Sequence, residues 1–130
     1  SLENVCSLKS IISQLKTIPT GESVGYDRAF IASRETRIAV VPIGYADGLH
    51  RSLSKGKGVF YVNRRPAHII GHMCMDMCML DVTDIACSEG DEVVIFNGIN
   101  SIQKLAESID TIPYELLSAI SARVKRVYYH

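Results

Sequence analysis

The chain has 130 residues, enough for one domain that buries a core without disulfide support. Hydrophobic residues make up 47% and charged residues 22%, the balance of an ordinary globular protein. Fourteen basic residues against fourteen acidic ones leave a formal net charge of zero, which argues against nucleic acid or an anionic membrane as partner, since both select a basic face. No apolar run approaches the roughly 20 residues of a membrane-spanning helix, and no basic-then-apolar leader is expected from the opening residues. Cys6, Cys74, Cys78 and Cys87 lack the spacing of a secreted disulfide scaffold, so free thiols in a reducing cytosol are expected.

In chain order, residues 1–18 carry two periodicities at once. Leu2, Val5, Leu8, Ile12 and Leu15 recur at helical spacing, whereas Ile11, Ser13, Leu15 and Thr17 alternate as in a strand. Pro19-Thr20-Gly21 then ends the segment as a turn. Gly25-Tyr26-Asp27 and Gly44-Tyr45-Ala46-Asp47-Gly48 each set a tyrosine beside a glycine, where a missing side chain lets another group approach the backbone. A phenol at such a rim can be a hydrogen-bonding wedge, a core residue with a wet tip, or a proton-transfer group.

Ile38–Ile43 reads as a strand buried on both faces, with Pro42 making it an edge or ending it. Leu49–Gly58 is a polar loop. Val59–Val62 and Ala67–Ile70 read as a hairpin turning at Asn63-Arg64, Met73–Val82 as the longest strand, and Asp91–Phe96 as another closed by Asn97-Gly98. Ile102, Leu105, Ala106 and Ile109 predict a helix capped by Asn100 or Ser101. Pro113 fits the first turn of a second short helix, and Val124–Tyr129 reads as a last strand. The sum is a mainly β domain, a small barrel or sandwich, with two short helices near its C-terminus.

His68, His72, Cys74, Asp76 and Cys78 share a parity that would place five metal-capable side chains on one strand face. Two residues of strand advance about 6.6 Å, so His68 and Cys78 would stand roughly 33 Å apart on an unbroken strand, and no metal site is expected. Met73, Met75, Met77 and Met79 alternate with that face as a core stripe, and at Met75-Asp76 the backbone is also placed to donate to an anion. Tyr114, just inside a helix start, could set its hydroxyl on an anion there.

Four blocks stand in a recognisable order: Gly21-Glu22-Ser23-Val24-Gly25-Tyr26, Pro42-Ile43-Gly44-Tyr45-Ala46-Asp47-Gly48, Met73-Cys74-Met75-Asp76, and Ile112-Pro113-Tyr114-Glu115 with Arg123-Val124-Lys125-Arg126-Val127. Together they resemble the C-terminal domain of bacterial alanine racemase over nearly the whole chain. The last block also looks like racemase domains fused behind a cell-wall ligase. The resemblance implies a small Greek-key-like β-barrel spanning residues 1–130, and a strand in the ambiguous first segment.

It further implies an enzyme that interconverts L- and D-alanine for peptidoglycan synthesis in the cytoplasm. Pyridoxal phosphate would be held by a lysine on a barrel domain absent from this chain, and the sites would be completed in a head-to-tail homodimer. On that resemblance Tyr26 is the base acting on L-alanine and Met75 holds the substrate carboxylate through its backbone. Tyr114 lies near the cofactor phosphate, and Tyr45, Asp76, Arg51 and His72 line the entrance or pocket. Two positions depart from the family pattern. Asp27 stands where glycine is usual and sets an anion beside the phenol, and His72 stands where an entrance arginine is common. The reading from another class is a non-catalytic β-barrel interaction module.

Overall fold

The computed structural model describes residues 7–24, 30–49, 53–54, 58–97 and 99–107. Nine strands, all paired antiparallel, carry this part of the chain: β1 (Ser7–Ile11), β2 (Gln14–Ile18), β3 (Ser23–Val24), β4 (Phe30–Ile31), β5 (Thr36–Val41), β6 (Val59–Val62), β7 (Arg65–Ile70), β8 (Cys78–Asp81) and β9 (Glu92–Asn97). One helix, α1 (Ile99–Glu107), follows and packs on β9.

Seven strands form one sheet in the order β1-β9-β6-β7-β8-β5-β2. The meander β6-β7-β8 with β5 returning beside β8 is the expected Greek key. The two edge strands, β1 and β2, follow each other in the chain with only Ile12 and Ser13 between them. Ile12 donates its N–H to Asp91 O at 2.9 Å on the β9 side, and Ser13 donates to Val40 O at 2.8 Å on the β5 side. One bent segment therefore joins both edges and curls the sheet toward a barrel, which protects edges that would otherwise be open.

That bend explains the mixed periodicity of the first segment. Leu8, Ile12 and Leu15 all face the main core, because the inward parity switches from even to odd across the bend. Spacings of four and then three imitate a helix. Its described part, residues 7–18, is strand on either side of the bend, as the family resemblance implies.

The barrel interior holds Leu8, Ala39, Val41, Phe60, Val62, Ile69, Leu80, Val93, Ile95 and Phe96, all essentially without solvent contact. A second cluster lies on the other face of β5, where Ile38 and Val40 pack with Ile70, Met79, Val24 and Ala32 under the β3–β4 hairpin. Double burial is what the continuous apolar run Ile38–Ile43 requires. Pro42 ends the strand without making it an edge: β2 and β8 flank β5, and Ile43 donates to Val41 O at 2.9 Å in a three-residue turn centred on the proline.

The β6–β7 hairpin turns as expected at Asn63 and Arg64, whose φ angles of 50° and 69° are those of a primed turn. Two expectations need correction. Met73–Val82 is not one strand, since regular pairing begins only at Cys78. Cys74 donates to Met77 O at 2.9 Å and closes a turn, and the Cys74 and Met75 carbonyls are taken by a distant segment instead of a ladder neighbour. The helix starts at Ile99, so Asn100 and Ser101 lie inside its first turn and do not cap it. Only residue 98 separates it from β9. The expected second helix at Pro113 and last strand at Val124–Tyr129 lie outside the described residues.

Candidate functional site

β5 and β8 run antiparallel with Val41 opposite Cys78, so the segments leaving β5 and entering β8 meet at one end of the barrel. There Tyr45–Asp47 forms a single 3-10 turn. Asp47 locks it in both directions: its carboxylate accepts the Gly44 N–H at 3.0 Å, and its N–H donates to Gly44 O at 3.0 Å. Gly48, at φ 98°, closes the turn with a bond from its N–H to Tyr45 O at 3.1 Å.

Two backbone hydrogen bonds dock the turn on residues 74–75. Tyr45 N–H donates to Cys74 O at 3.1 Å, and Ala46 N–H donates to Met75 O at 2.8 Å. Gly44 has an extended φ of −149° that any residue adopts, so its value lies in the space it leaves. A Cβ there would sit 2.7 Å from Met75 O and closer still to Cys74 O. A third tether fixes the start of this loop, where the buried Ser54 hydroxyl accepts the Met73 N–H at 2.7 Å.

The methionine stripe divides accordingly. Met73 enters the main core, Met79 enters the second cluster with Met77 against it, and Met75 is left 59% exposed beside an exposed Asp76. Tyr45 is half-buried and packs on the main core, and His72 is half-buried at the head of the same loop. Cys74 Sγ lies 3.9 Å from His72 O. Burial pushes the Cys78 thiol up to about 12, with the neighbouring Cys74 adding to it. Cys74, Cys78 and Cys87 are free thiols.

Four of the expected site residues, Tyr45, His72, Met75 and Asp76, thus fall on two adjoining segments at one barrel end. Tyr26, Arg51 and Tyr114 lie outside the described residues. The residues that flank positions 25–29 are described, however. Val24 and Phe30 pair with each other, and a Cβ on Gly71 would lie 3.7 Å from Val24 O and 4.0 Å from Phe30 Cβ. The hairpin that carries Tyr26 in its connection therefore abuts the chain one residue before His72. Sequence reasoning marked Gly44 as a place of close backbone approach, which the structure bears out, and missed Asp47 and Ser54. The signal for Asp47 was the Gly-x-x-Asp spacing around Tyr45, and Ser54 left none.

Among the described residues, no group of three or more His, Cys, Asp or Glu side chains is placed to hold a metal ion. An open groove of about 280 Å³ lies at the opposite barrel end, lined by Arg34, Arg65, Pro66, His68, Asp81, Asp84 and Ile85. Three of its charges are engaged: Arg34 bonds Asp84 at 2.9 Å and holds that carboxyl below the usual range, and Asp81 accepts the Thr83 N–H at 3.0 Å.

Comparison with known proteins gives the family described as alanine racemase, C-terminal domain, matched over residues 5–128. The chain belongs to that family. Alanine racemase of Helicobacter pylori is 42% identical over 98% of this chain and 34% of its own length. Alanine racemase 1 of Caldanaerobacter subterraneus subsp. tengcongensis is 44% identical over 92% of the chain and 32% of its own length.

Among solved structures, the biosynthetic alanine racemase of Pseudomonas aeruginosa superposes with a TM-score of 0.84 at 37% identity. It is matched over 91% of this chain and 33% of its own. The Bartonella henselae alanine racemase, solved with covalently bound pyridoxal phosphate, superposes with a TM-score of 0.83 at 34% identity, over 90% and 33%. The racemase C-terminal domain described here therefore spans about a third of the length of the relatives it matches.

Proposed function

We propose that this domain is the tyrosine-bearing half of an alanine racemase active site, interconverting L- and D-alanine in the intact protein for peptidoglycan synthesis. The match to the racemase C-terminal domain over residues 5–128 carries the reading. The residues around the turn fit a small carboxylate better than a cofactor. They offer exposed backbone at Met75 and Asp76, while the described lysines Lys9, Lys16 and Lys104 lie away on β1, β2 and α1. Pyridoxal phosphate, bound on the part of the protein outside this chain, would supply the electron sink that makes the alanine Cα proton removable.

Racemisation needs a base on each face of Cα. Tyr26 Oη takes the proton from Cα of L-alanine and, in the reverse direction, returns it to the same face. The placement of Val24 and Phe30 against Gly71 supports this, because it ties the Tyr26-bearing hairpin to the loop of Met75. Met75 holds the substrate carboxylate through its amide. Tyr45 lines the inner entrance, Arg51, His72 and Asp76 stand farther out, and Tyr114 lies near the cofactor phosphate. A half-site open at Met75 and Asp76 suits a head-to-tail homodimer in which a partner closes it.

Tyr26→Phe in the full-length protein tests the reading. Racemisation should fall by at least about 100-fold, the usual scale for losing a positioned base, with the cofactor absorbance unchanged. Unimpaired rates from both enantiomers would show that the base is another residue. The 130-residue chain alone should give no turnover.

A further inference from the structure

Gly71 stands at the corner where the chain passes from one hydrophobic cluster to the other. It follows Ile70, the last residue of β7, and turns toward His72 at a φ of 66°, a left-handed angle open to glycine at no steric cost. Ile70 packs in the second cluster and Met73 in the main core, and Gly71 between them is buried.

The corner accounts for a glycine but not for what lies against it. Chain neighbours apart, only two described heavy atoms come within 4 Å of where its Cβ would stand: Val24 O at 3.7 Å and Phe30 Cβ at 4.0 Å. Both move rigidly with the backbone of the β3–β4 hairpin, where Val24 and Phe30 are paired. That hairpin is a two-stranded sheet of its own, and its strands join no strand of the barrel among the described residues. Packing therefore decides how close it lies. The methionines beneath it, Met77 and Met79, are flexible side chains that adapt to a shifted neighbour, whereas backbone against a buried glycine does not.

We propose that Gly71 is a positioning residue for proton transfer: it is the backbone stop on which the β3–β4 hairpin rests, and it sets how far Tyr26 reaches toward the substrate Cα. The proposal rests on the racemase reading and adds to it the device that places the base. Tyr26 lies two residues beyond Val24, at most about 7 Å of chain, so a shift of Val24 is passed on with little to absorb it. A misplacement of about 1 Å can lower a catalytic rate about 100-fold. A methyl group at position 71 would come only into ordinary contact with Val24 O. A longer side chain in this buried place has to displace a neighbour, and the hairpin is the nearest.

The test uses the full-length enzyme and alanine carrying deuterium on Cα. Tyr26 removes the label from L-alanine, and the base on the opposite face removes it from D-alanine. Gly71→Leu should lower kcat at least about tenfold in both directions, with the alanine KM within about threefold and the cofactor absorbance unchanged. Because only the Tyr26 step is slowed, the isotope effect should rise with labelled L-alanine and fall toward unity with labelled D-alanine. A general loss of structure would not split the two substrates in this way.

Gly71→Ala carries the same left-handed strain without the bulk, and should keep kcat within about threefold of the parent. Val24→Ala loosens the hairpin from its own side and leaves Gly71 untouched. It should produce the same split, and it decides the matter if the leucine variant does not fold. A loss of kcat without the split in Gly71→Leu, or unsplit isotope effects in Val24→Ala, overturns the positioning role. A tenfold loss in Gly71→Ala overturns it as well, by assigning the effect to backbone strain. Racemisation by Tyr26→Phe at the parent rate would instead overturn the reading on which the proposal rests.

Discussion

Cys78 makes stability in alkali a direct readout of how dry the β5–β8 core is. The side chain has no solvent exposure, and burial, reinforced by the nearby Cys74, raises its pKa from 9.0 to about 12. Below pH 9 the thiol keeps its proton whether the chain is folded or not, so it contributes nothing to the pH dependence. Between 9 and 12 the unfolded chain loses the proton and the folded chain holds it. The unfolded state then binds fewer protons, and stability falls as pH rises, by up to about 1.4 kcal/mol per pH unit. At pH 11 this amounts to about 2.5 kcal/mol relative to pH 8. Urea unfolding followed by circular dichroism at those two pH values, on the chain and on Cys78→Ala, isolates the effect. The cavity cost of the alanine, about 1–2 kcal/mol, is the same at both pH values and cancels in the difference. Tyrosine and lysine titrations cancel likewise. The alkaline loss in the parent should exceed that in the variant by about 2.5 kcal/mol. Equal losses would mean that the thiol ionises in the folded state as readily as in water, and the account of this core would be wrong.

Arg37 clamps the loop between β8 and β9. Its guanidinium donates to Ile85 O at 3.1 Å and Cys87 O at 2.6 Å, so Arg37→Ala should cost about 1.5 kcal/mol and speed hydrogen exchange at residues 83–91 while leaving β6 and β7 protected; uniform exchange would refute a local clamp. Arg64 sits at φ 69° on an exposed turn, and Arg64→Gly should raise the melting temperature by about 2–4 °C, since removing the left-handed penalty outweighs the flexibility gained in the unfolded chain; a lower melting point would show that the arginine side chain contributes there.

The strands that the sequence reveals are those whose partners are close or whose burial is total. The β6–β7 hairpin follows from two short apolar runs around Asn63-Arg64, and β5 from an unbroken apolar run that needs cover on both faces. Met73–Val82 misleads for an opposite reason. Alternation describes side chains, whereas its first half is governed by where two carbonyls go, and their donors are the amides of Tyr45 and Ala46, about thirty residues earlier in the chain. The first segment misleads because a bend between two strands changes the inward parity, which no fixed period can represent.

The site is legible to a similar depth. Tyr45 and Met75 stand out through the blocks they share with the racemase family, and the structure brings their segments together. The glycine beside Tyr45 marks a close backbone approach in the sequence, and Gly44 provides it at an extended φ, but which segment approaches cannot be read there. Its importance is a tertiary clash that local sequence does not contain.

The two parts proposed to act on the substrate are supported by different layers of the fold. The Met75 loop is pinned by Ser54, Tyr45 and Ala46 at the mouth of the main core. The hairpin bearing Tyr26 stands on the second cluster, over Ile38, Val40, Ile70 and Met79. They share one junction, Gly71, where β7 leaves the sheet between the two clusters and where the hairpin backbone approaches. Carboxylate anchoring and proton transfer must be held in fixed relation for one substrate atom to be reached from a defined face, while the anchoring itself tolerates little rotation. A barrel with a core inside and a capped sheet outside meets both demands. The Met75 loop and the β3–β4 strands each rest on their own cluster, and Val24 O comes within 3.7 Å of where a Cβ on Gly71 would stand.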